Sequence, residues 1–265
     1  MSRLPVPKTY KLFIGGAFAR SESGRTYEAE GRNVARASRK DARDAVRSAR
    51  AALDRWCELP AAGRGQVLYR LAEMMESRIE DLGRVCSGRS EVEEAIDTVV
   101  WYAGWADKLP QVLGGANPVA GPYFDFTIPE PMGVVALLAP REPALGGLVA
   151  RLLPPLVGGN AVVAVASEAH PLAAVELAEA VATSDVPPGV VSVLTGLQHE
   201  LAPWLAGHRD VNAIDLTGAE GDVPELERLA AESVKRVVRS TPSARGLSEV
   251  EAFLELKTVW HPIGL

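Results

Sequence analysis

The chain of 265 residues has a formal net charge of −6 and is 47% hydrophobic, a composition typical of a globular protein with a sizeable core. It shows no basic stripe for nucleic acid and no apolar run long enough to span a bilayer, and its N-terminal residues lack the apolar stretch of a signal peptide. We therefore expect a cytoplasmic protein with reduced thiols at Cys57 and Cys86 and without nucleic-acid or membrane partners.

The N-terminal part of the sequence combines short strands with amphipathic helices. Residues 10–35 alternate strand-like segments with turns, one of them at Gly15-Gly16. Over residues 42–103 apolar side chains recur at every third or fourth position, which predicts three helices that pack on a core. The third helix is predicted to begin at Ser90, with Glu93 completing a capping box.

Two segments have an extended rather than a helical pattern. Residues 110–131 are rich in glycine and proline around the alternating stretch Tyr123–Ile128, which predicts a ribbon or hairpin. After a polar hinge at residues 241–246, the sequence continues into a mostly extended stretch over residues 250–265. Because a lone ribbon is not stable by itself, it must pack on this fold or on another chain.

Between these segments the sequence alternates strands with helices. The predicted strands span residues 133–139, 161–166, 190–194 and 212–216, and the predicted helices between them span residues 145–157, 170–183 and 198–207. Nearly continuous small and branched residues in each strand indicate a parallel sheet covered on both faces. The fold class is therefore α/β, with a Rossmann-like parallel sheet and helices on both sides. The four histidines of the sequence share no spacing that suggests a metal site.

Several segments resemble one enzyme family in order and spacing. EPMGVVALLAP, LLPPLVGGNAVVAVASE, DVPPGVVSVLTG and HRDVNAIDLTGA are similar to the coenzyme domain of aldehyde dehydrogenases. KLFIGGAF and RWCELPAAGRGQVLYRLAEMMES resemble the N-terminal region of that family, and EAFLELKTVW resembles its extreme C-terminus. The resemblance covers almost the whole chain.

The resemblance implies a division of the chain into four parts. Residues 1–110 would form the N-terminal helical part of a coenzyme-type domain, and residues 132–240 its Rossmann-like part. Residues 111–131 and 241–265 would form an oligomerisation ribbon. Its interface residues would be Tyr123, Phe124, Phe126, Phe253, Leu254, Leu256, Val259 and Trp260.

The turn LLAPREPALGG departs from the family at its polar position. Family members have an asparagine there, whose side chain donates a hydrogen bond to the oxyanion formed from the aldehyde, and the aligned residue here is Glu142. A carboxylate cannot donate and would repel that charge. In the alternative interpretation, Arg141 and Glu142 are an exposed pair without a role.

The coenzyme contacts implied by the resemblance are incomplete. The family's lysine that holds the ribose of NAD or NADP is replaced by Val165, and its phosphate-binding serine by Ala219. The remaining matching positions, which we interpret as a vestigial cofactor site, are Pro140, Ser167, Glu168, Thr217 and Gly218. No G-x-G-x-x-G motif replaces the lost contacts. We expect no cofactor, and NAD(P) binding that is weak at most.

The resemblance also implies that the catalytic domain is missing. Where the family continues through Glu-Leu-Gly-Gly-Lys into that domain, Arg239 and Ser240 lead directly to the C-terminal ribbon. No cysteine follows Cys86, so the family's nucleophile and its general-base glutamate have no counterpart. We therefore expect no catalytic residues and no metal.

The leading hypothesis is a catalytically silent, aldehyde dehydrogenase-like subunit. It would bind a full-length aldehyde dehydrogenase in a hetero-oligomer, through its ribbon and the helices of the coenzyme-type domain, and would stabilise or regulate that enzyme. The main alternative is a weak NAD(H)- or adenine-nucleotide-binding module, supported by Glu168. New chemistry with Glu142 or Glu168 as a base, or a remnant without a task, are further alternatives.

Overall fold

A computed structural model describes Leu4 and residues 6–263 of the chain. Within these residues the strands are β1 (Thr9–Tyr10), β2 (Leu12–Ile14), β3 (Ala17–Ala19), β4 (Thr26–Ala29), β5 (Arg32–Ala35), β6 (Gly115–Asn117), β7 (Tyr123–Pro131), β8 (Val134–Leu138), β9 (Ala161–Val165), β10 (Val191–Leu194), β11 (Ala213–Asp215), β12 (Arg236–Val238) and β13 (Leu254–Pro262). The helices are α1 (Arg39–Cys57), α2 (Ala61–Ser77), α3 (Ile79–Gly83), α4 (Arg89–Ala103), α5 (Leu109–Leu113), α6 (Ala144–Val157), α7 (Pro171–Thr183), α8 (Gln198–Gly207), α9 (Val223–Ala231) and α10 (Leu247–Glu251).

The main sheet confirms the predicted fold class. Its strand order is β12-β11-β8-β9-β10-β2-β3, and the strands from β12 to β10 run parallel. The predicted strands and helices between residues 133 and 216 are confirmed within a residue or two at each end. Strand β2 joins antiparallel to β10, so the N-terminal hairpin extends the sheet, which the sequence pattern does not predict.

Alternate residues of the central strands point into two separate cores. Val135 and Leu137 of β8 pack with α2, α4, α6 and α7, whereas Val134, Ala136 and Leu138 pack with α1, α8 and α9. All five residues are fully buried, as expected for a parallel sheet with helices on both faces. Because both faces of the sheet are covered, polar side chains can cluster only at the ends of the strands.

Two details of the N-terminal helices differ from the sequence prediction. Helix α4 begins at Arg89 after Gly88 without a side-chain cap, and Glu93 pairs with Arg89 instead of completing a capping box at Ser90. The capping box lies at the start of α1, where Ser38 and Asp41 exchange hydrogen bonds. The carboxylate of Asp41, three residues after Ser38, accepts a hydrogen bond from the N–H group of Ser38 at 2.8 Å.

The C-terminal part forms a ribbon on a buried base. Strands β6, β7 and β13 pair antiparallel, in the order β13-β7-β6. The segment before β13 is not extended as predicted, because residues 247–251 form the short helix α10. Phe253 (0% exposed) and Leu254 (4% exposed) belong to the core of this chain, so their prediction as interface residues is wrong. They anchor the ribbon to the domain.

No helix in the described part of the chain is both long and apolar enough to cross a membrane.

Candidate functional site

The residues predicted as a vestigial cofactor site lie at one edge of the main sheet. Pro140 follows β8 and Ser167 follows β9, and both are buried. Glu168 is half-buried next to Ser167, and Thr217 and Gly218 follow β11. In parallel sheets this carboxyl edge is where nucleotide and substrate sites form. The sequence pattern thus brings the five residues together, although their role in binding stays a prediction.

The turn after β11 is packed tightly against the turn after β8. The N–H group of Gly218 donates to the carbonyl oxygen of Leu138 at 3.2 Å. A Cβ atom at Gly218 would lie 2.3 Å from the carbonyl carbon of Ala139, so only glycine fits. Thr217 is also engaged, because its Oγ1 accepts a hydrogen bond from the N–H group of Ser240 at 3.1 Å.

Gln198, the first residue of α8, bridges this edge and was not identified from the sequence. Its side chain is 2% exposed, its Nε2 donates to the carbonyl oxygen of Gly218 at 2.9 Å, and its Oε1 accepts from the N–H group of Glu220 at 2.9 Å. Its own N–H group donates to the carboxylate of Glu168. The turns after β9 and β11 are therefore connected by side chains of the chain itself.

Carboxylates of this chain also cap the helices that begin at this edge. Glu91 accepts from the N–H groups of Leu145 and Gly146 at the start of α6, at 2.8 and 2.9 Å. Burial acts to raise the pKa of Glu91, but the N–H groups of α6 and of Ser87 lower it below its ordinary value. Glu30 accepts from the N–H group of Leu172 in α7 at 3.3 Å.

Arg141 and Glu142 are both exposed, as in the alternative interpretation, and Glu142 in addition contacts His170. Oε1 of Glu142 lies 3.0 Å from Nε2 of His170, and Nδ1 of the same imidazole lies 3.5 Å from Oε1 of Glu30. His170 thus connects the turn after β8 to the hairpin of β4 and β5. Glu30, Glu142 and His170 form a cluster that the sequence does not predict, because the residues are far apart along the chain and only the fold brings them together.

Three helix N-termini at this edge carry carboxylates of the chain itself. Helix N-termini bind pyrophosphate through free N–H groups, and here α6, α7 and α8 are already capped by Glu91, Glu30 and Glu168. Val165 is fully buried, so the position aligned with the family's lysine supplies no cation for a ribose or phosphate. The carboxylate of Glu142 would further repel a phosphate group.

A buried charge network lies behind this edge. Arg151 of α6 is fully buried, and its Nε donates to Oδ2 of Asp215 in β11 at 2.8 Å. A second nitrogen, Nη1, donates to Glu249 of α10. Burial acts to lower the pKa of Arg151, but Asp215 and Glu249 raise it above its ordinary value. The network attaches α10, and with it the base of the ribbon, to the sheet.

The ribbon presents apolar side chains on both faces. Tyr123, Leu256 and Trp260 share one face, where they are 43%, 50% and 59% exposed, and the rings of Tyr123 and Trp260 stack edge-on at 5.8 Å. Phe124 and Phe126 stack at 5.2 Å on the opposite face, beside Val259. Phe124 is 48% exposed, whereas Phe126 and Val259 are half-buried.

No group of three or more histidine, cysteine or acidic residues that could hold a metal ion occurs among the residues for which the structure gives positions.

Comparison with known proteins gives a consistent result. The sequence profile of the "Aldehyde dehydrogenase family" matches residues 25–243. The chain is 31% identical over 264 residues to "Aldehyde dehydrogenase, cytosolic 1" of Elephantulus edwardii, covering 89% of this chain and 52% of that protein. It is 32% identical over 252 residues to "Retinal dehydrogenase 2" of Gallus gallus, covering 87% of this chain and 48% of the relative.

A solved structure agrees with these relatives in fold. The NAD+ complex of an aldehyde dehydrogenase from Bacillus cereus has a TM-score of 0.81 and 25% sequence identity to this chain, over 87% of this chain and 50% of that one. The chain therefore spans about half the length of the relatives that it matches.

Proposed function

The chain belongs to the aldehyde dehydrogenase family, and from this premise we propose that it is a catalytically silent subunit that assembles with a full-length aldehyde dehydrogenase. It would bind that enzyme through the ribbon of β6, β7 and β13 and stabilise or regulate it. We place this assembly in the cytosol, in keeping with the name of one relative.

The ribbon carries this proposal. Tyr123 and Phe124 lie on opposite faces of it and are both about half exposed, as are Leu256 and Trp260. A ribbon with apolar side chains exposed on both faces is poorly soluble unless another surface covers it. Strand β13 is also an open edge of nine residues, to which a strand of another chain can add. The full-length enzyme of the family is the partner that the resemblance suggests.

Catalytic silence is supported by the state of the thiols. Aldehyde oxidation in the family starts from a thiolate, and the sequence holds only Cys57 and Cys86. Burial raises the pKa of Cys86 to about 11 and also raises the pKa of Cys57, so both thiols stay protonated at neutral pH. Only residues 239–253 connect β12 to β13, where the resemblance implies a catalytic domain.

The test uses exposed ribbon residues with a matched control. We expect the chain co-expressed with the full-length aldehyde dehydrogenase of the same organism to elute as a mixed complex, by light-scattering mass after size exclusion. Leu256→Asp with Trp260→Ala should weaken that complex at least about tenfold, because it removes the apolar area of one face. Tyr69→Asp, a change of an equally exposed apolar residue on α2, should leave it intact. A wild-type chain that ignores the full-length enzyme would refute the proposal.

We also expect this chain not to bind NAD, NADH or NADP at concentrations up to millimolar. The physical reason is that its own carboxylates occupy the helix N-termini at the sheet edge and that Val165 is buried. Isothermal titration calorimetry with each dinucleotide measures this directly. Saturable binding with a submillimolar dissociation constant would instead favour the alternative of a nucleotide-binding module.

A further inference from the structure

A small cavity near the N-terminus is lined by positively charged residues. It has a volume of about 200 Å³ and lies between the sheet of β1, β5 and β4 and the turn that leads from β3 to β4. Lys11, Arg20 and Arg25 line it, and no carboxylate does. Arg20 and Arg25 lie at the two ends of the turn from β3 to β4, and Lys11 lies between β1 and β2.

These cations have no ion-pair partner among the residues that the structure describes. Nearby carboxylates are already engaged. Glu200 pairs with Arg36, whose hydrogen bonds lower the pKa of that carboxyl. Glu22 pairs with Lys40 at 3.1 Å. In a chain with a formal net charge of −6, three unpaired cations around one cavity form a local positive potential that attracts an anion.

The walls of the cavity are held in place by buried hydrogen bonds. Ser21, which is 5% exposed, donates to Oδ2 of Asp41 at 2.8 Å, and the N–H group of Glu22 donates to Oδ1 of Asp41 at 3.1 Å. The turn is completed by Gly24 with a φ of +68°, a conformation that favours glycine. The backbone of the turn that carries Arg20 and Arg25 is therefore held in place by the fold.

Hydroxyl groups add hydrogen-bond donors to the positive charge. Thr9 and Thr26 also line the cavity, and Oγ1 of Thr9 accepts from Nδ2 of Asn33 at 2.8 Å, which leaves its own proton free to donate. A volume of about 200 Å³ corresponds to roughly seven water molecules, enough for a phosphate group with part of its hydration shell but too small for a dinucleotide.

We propose that this cavity binds a phosphate dianion, either free or as a small phosphomonoester. Arginine and lysine with hydroxyl donors are the groups that recognise phosphate oxygens. The site lies away from the ribbon, and it does not depend on the proposed assembly with a larger enzyme.

The test is calorimetric titration of the full chain with inorganic phosphate and, separately, with glycerol 3-phosphate at constant ionic strength. We expect inorganic phosphate to bind with a dissociation constant below about 1 mM, and glycerol 3-phosphate to bind more tightly if the cavity accepts a monoester. Arg20→Gln with Arg25→Gln should weaken both at least about tenfold.

The control removes the same charge elsewhere. Arg32→Gln with Arg47→Gln changes two exposed arginines that do not line the cavity, and should leave phosphate affinity within about twofold of the wild type, because screening at constant ionic strength suppresses distant charges. Absence of saturable phosphate binding, or an equal loss in both double variants, would overturn the proposal. Melting followed by circular dichroism confirms that both variants are folded.

Discussion

Replacing Arg151 with methionine is expected to lower the free energy of unfolding by about 3–5 kcal/mol. The substitution removes the cation that faces Asp215 and leaves that fully buried carboxylate without a charge partner. Glu249 is 16% exposed and can turn towards water, so most of the loss comes from Asp215. Equilibrium unfolding in urea, followed by tryptophan fluorescence, measures the difference.

Two comparisons separate this effect from a general loss of charge. Arg228→Met removes an arginine from an exposed pair with Glu225 and Glu232 and should change stability very little. Adding Asp215→Asn to Arg151→Met should recover much of the loss, because no buried charge then remains and the amide oxygen still accepts from the N–H group of Thr217. A loss in Arg151→Met no larger than that in Arg228→Met would contradict the role of the network.

Phe253→Ala is expected to cost about 3–5 kcal/mol of stability, because it leaves a cavity where a fully buried aromatic ring joins the core between α10 and β13. Urea unfolding followed by circular dichroism measures the loss. Trp260→Ala, in the same strand region but 59% exposed, should change stability by less than about 1 kcal/mol.

Comparing Phe253→Ala with Trp260→Ala should separate effects on the stability of the domain from effects on assembly. Phe253→Ala weakens the domain, whereas Trp260→Ala removes an exposed ring from a surface that we propose to contact another chain. If Trp260→Ala destabilises the isolated chain as much as Phe253→Ala does, the ribbon is part of the domain core and the proposed interface is wrong. Substitutions that probe assembly must therefore be limited to the exposed residues of the ribbon.

The buried charge network explains how α10 is held against the main sheet. Helix α10 follows β12 after a short connection, and Val250 and Phe253 cover the apolar surface there. Glu249 neutralises Arg151 at the same place. Glu249 is paired with the fully buried Arg151, whereas Arg239 lies on the surface, where its Nη1 is 3.4 Å from Oε1 of Glu227.

The central fold was predictable because its signals are local. Runs such as Val134–Leu138 and Ala161–Val165 are apolar at every position, and each is followed by a helical pattern, so a parallel sheet covered on both faces is the arrangement that buries them. The order of the five residues from Pro140 to Gly218 along the strand ends was predictable for the same reason. The burial of Phe253 was not predictable, since an aromatic residue before an extended stretch fits a core as well as an interface.

The sequence by itself determined the family, the parallel sheet and the absence of a cysteine after Cys86, because these depend on residue identity and short-range order. Only the tertiary structure decided which charges meet. Arg151 and Glu249 are separated by 98 residues, and Glu30 and Leu172 by 142, and no periodicity connects such positions. Buried polar groups must find partners wherever the packed backbone places them, so the self-capped sheet edge, the charge network and the basic cavity emerge only from the folded chain.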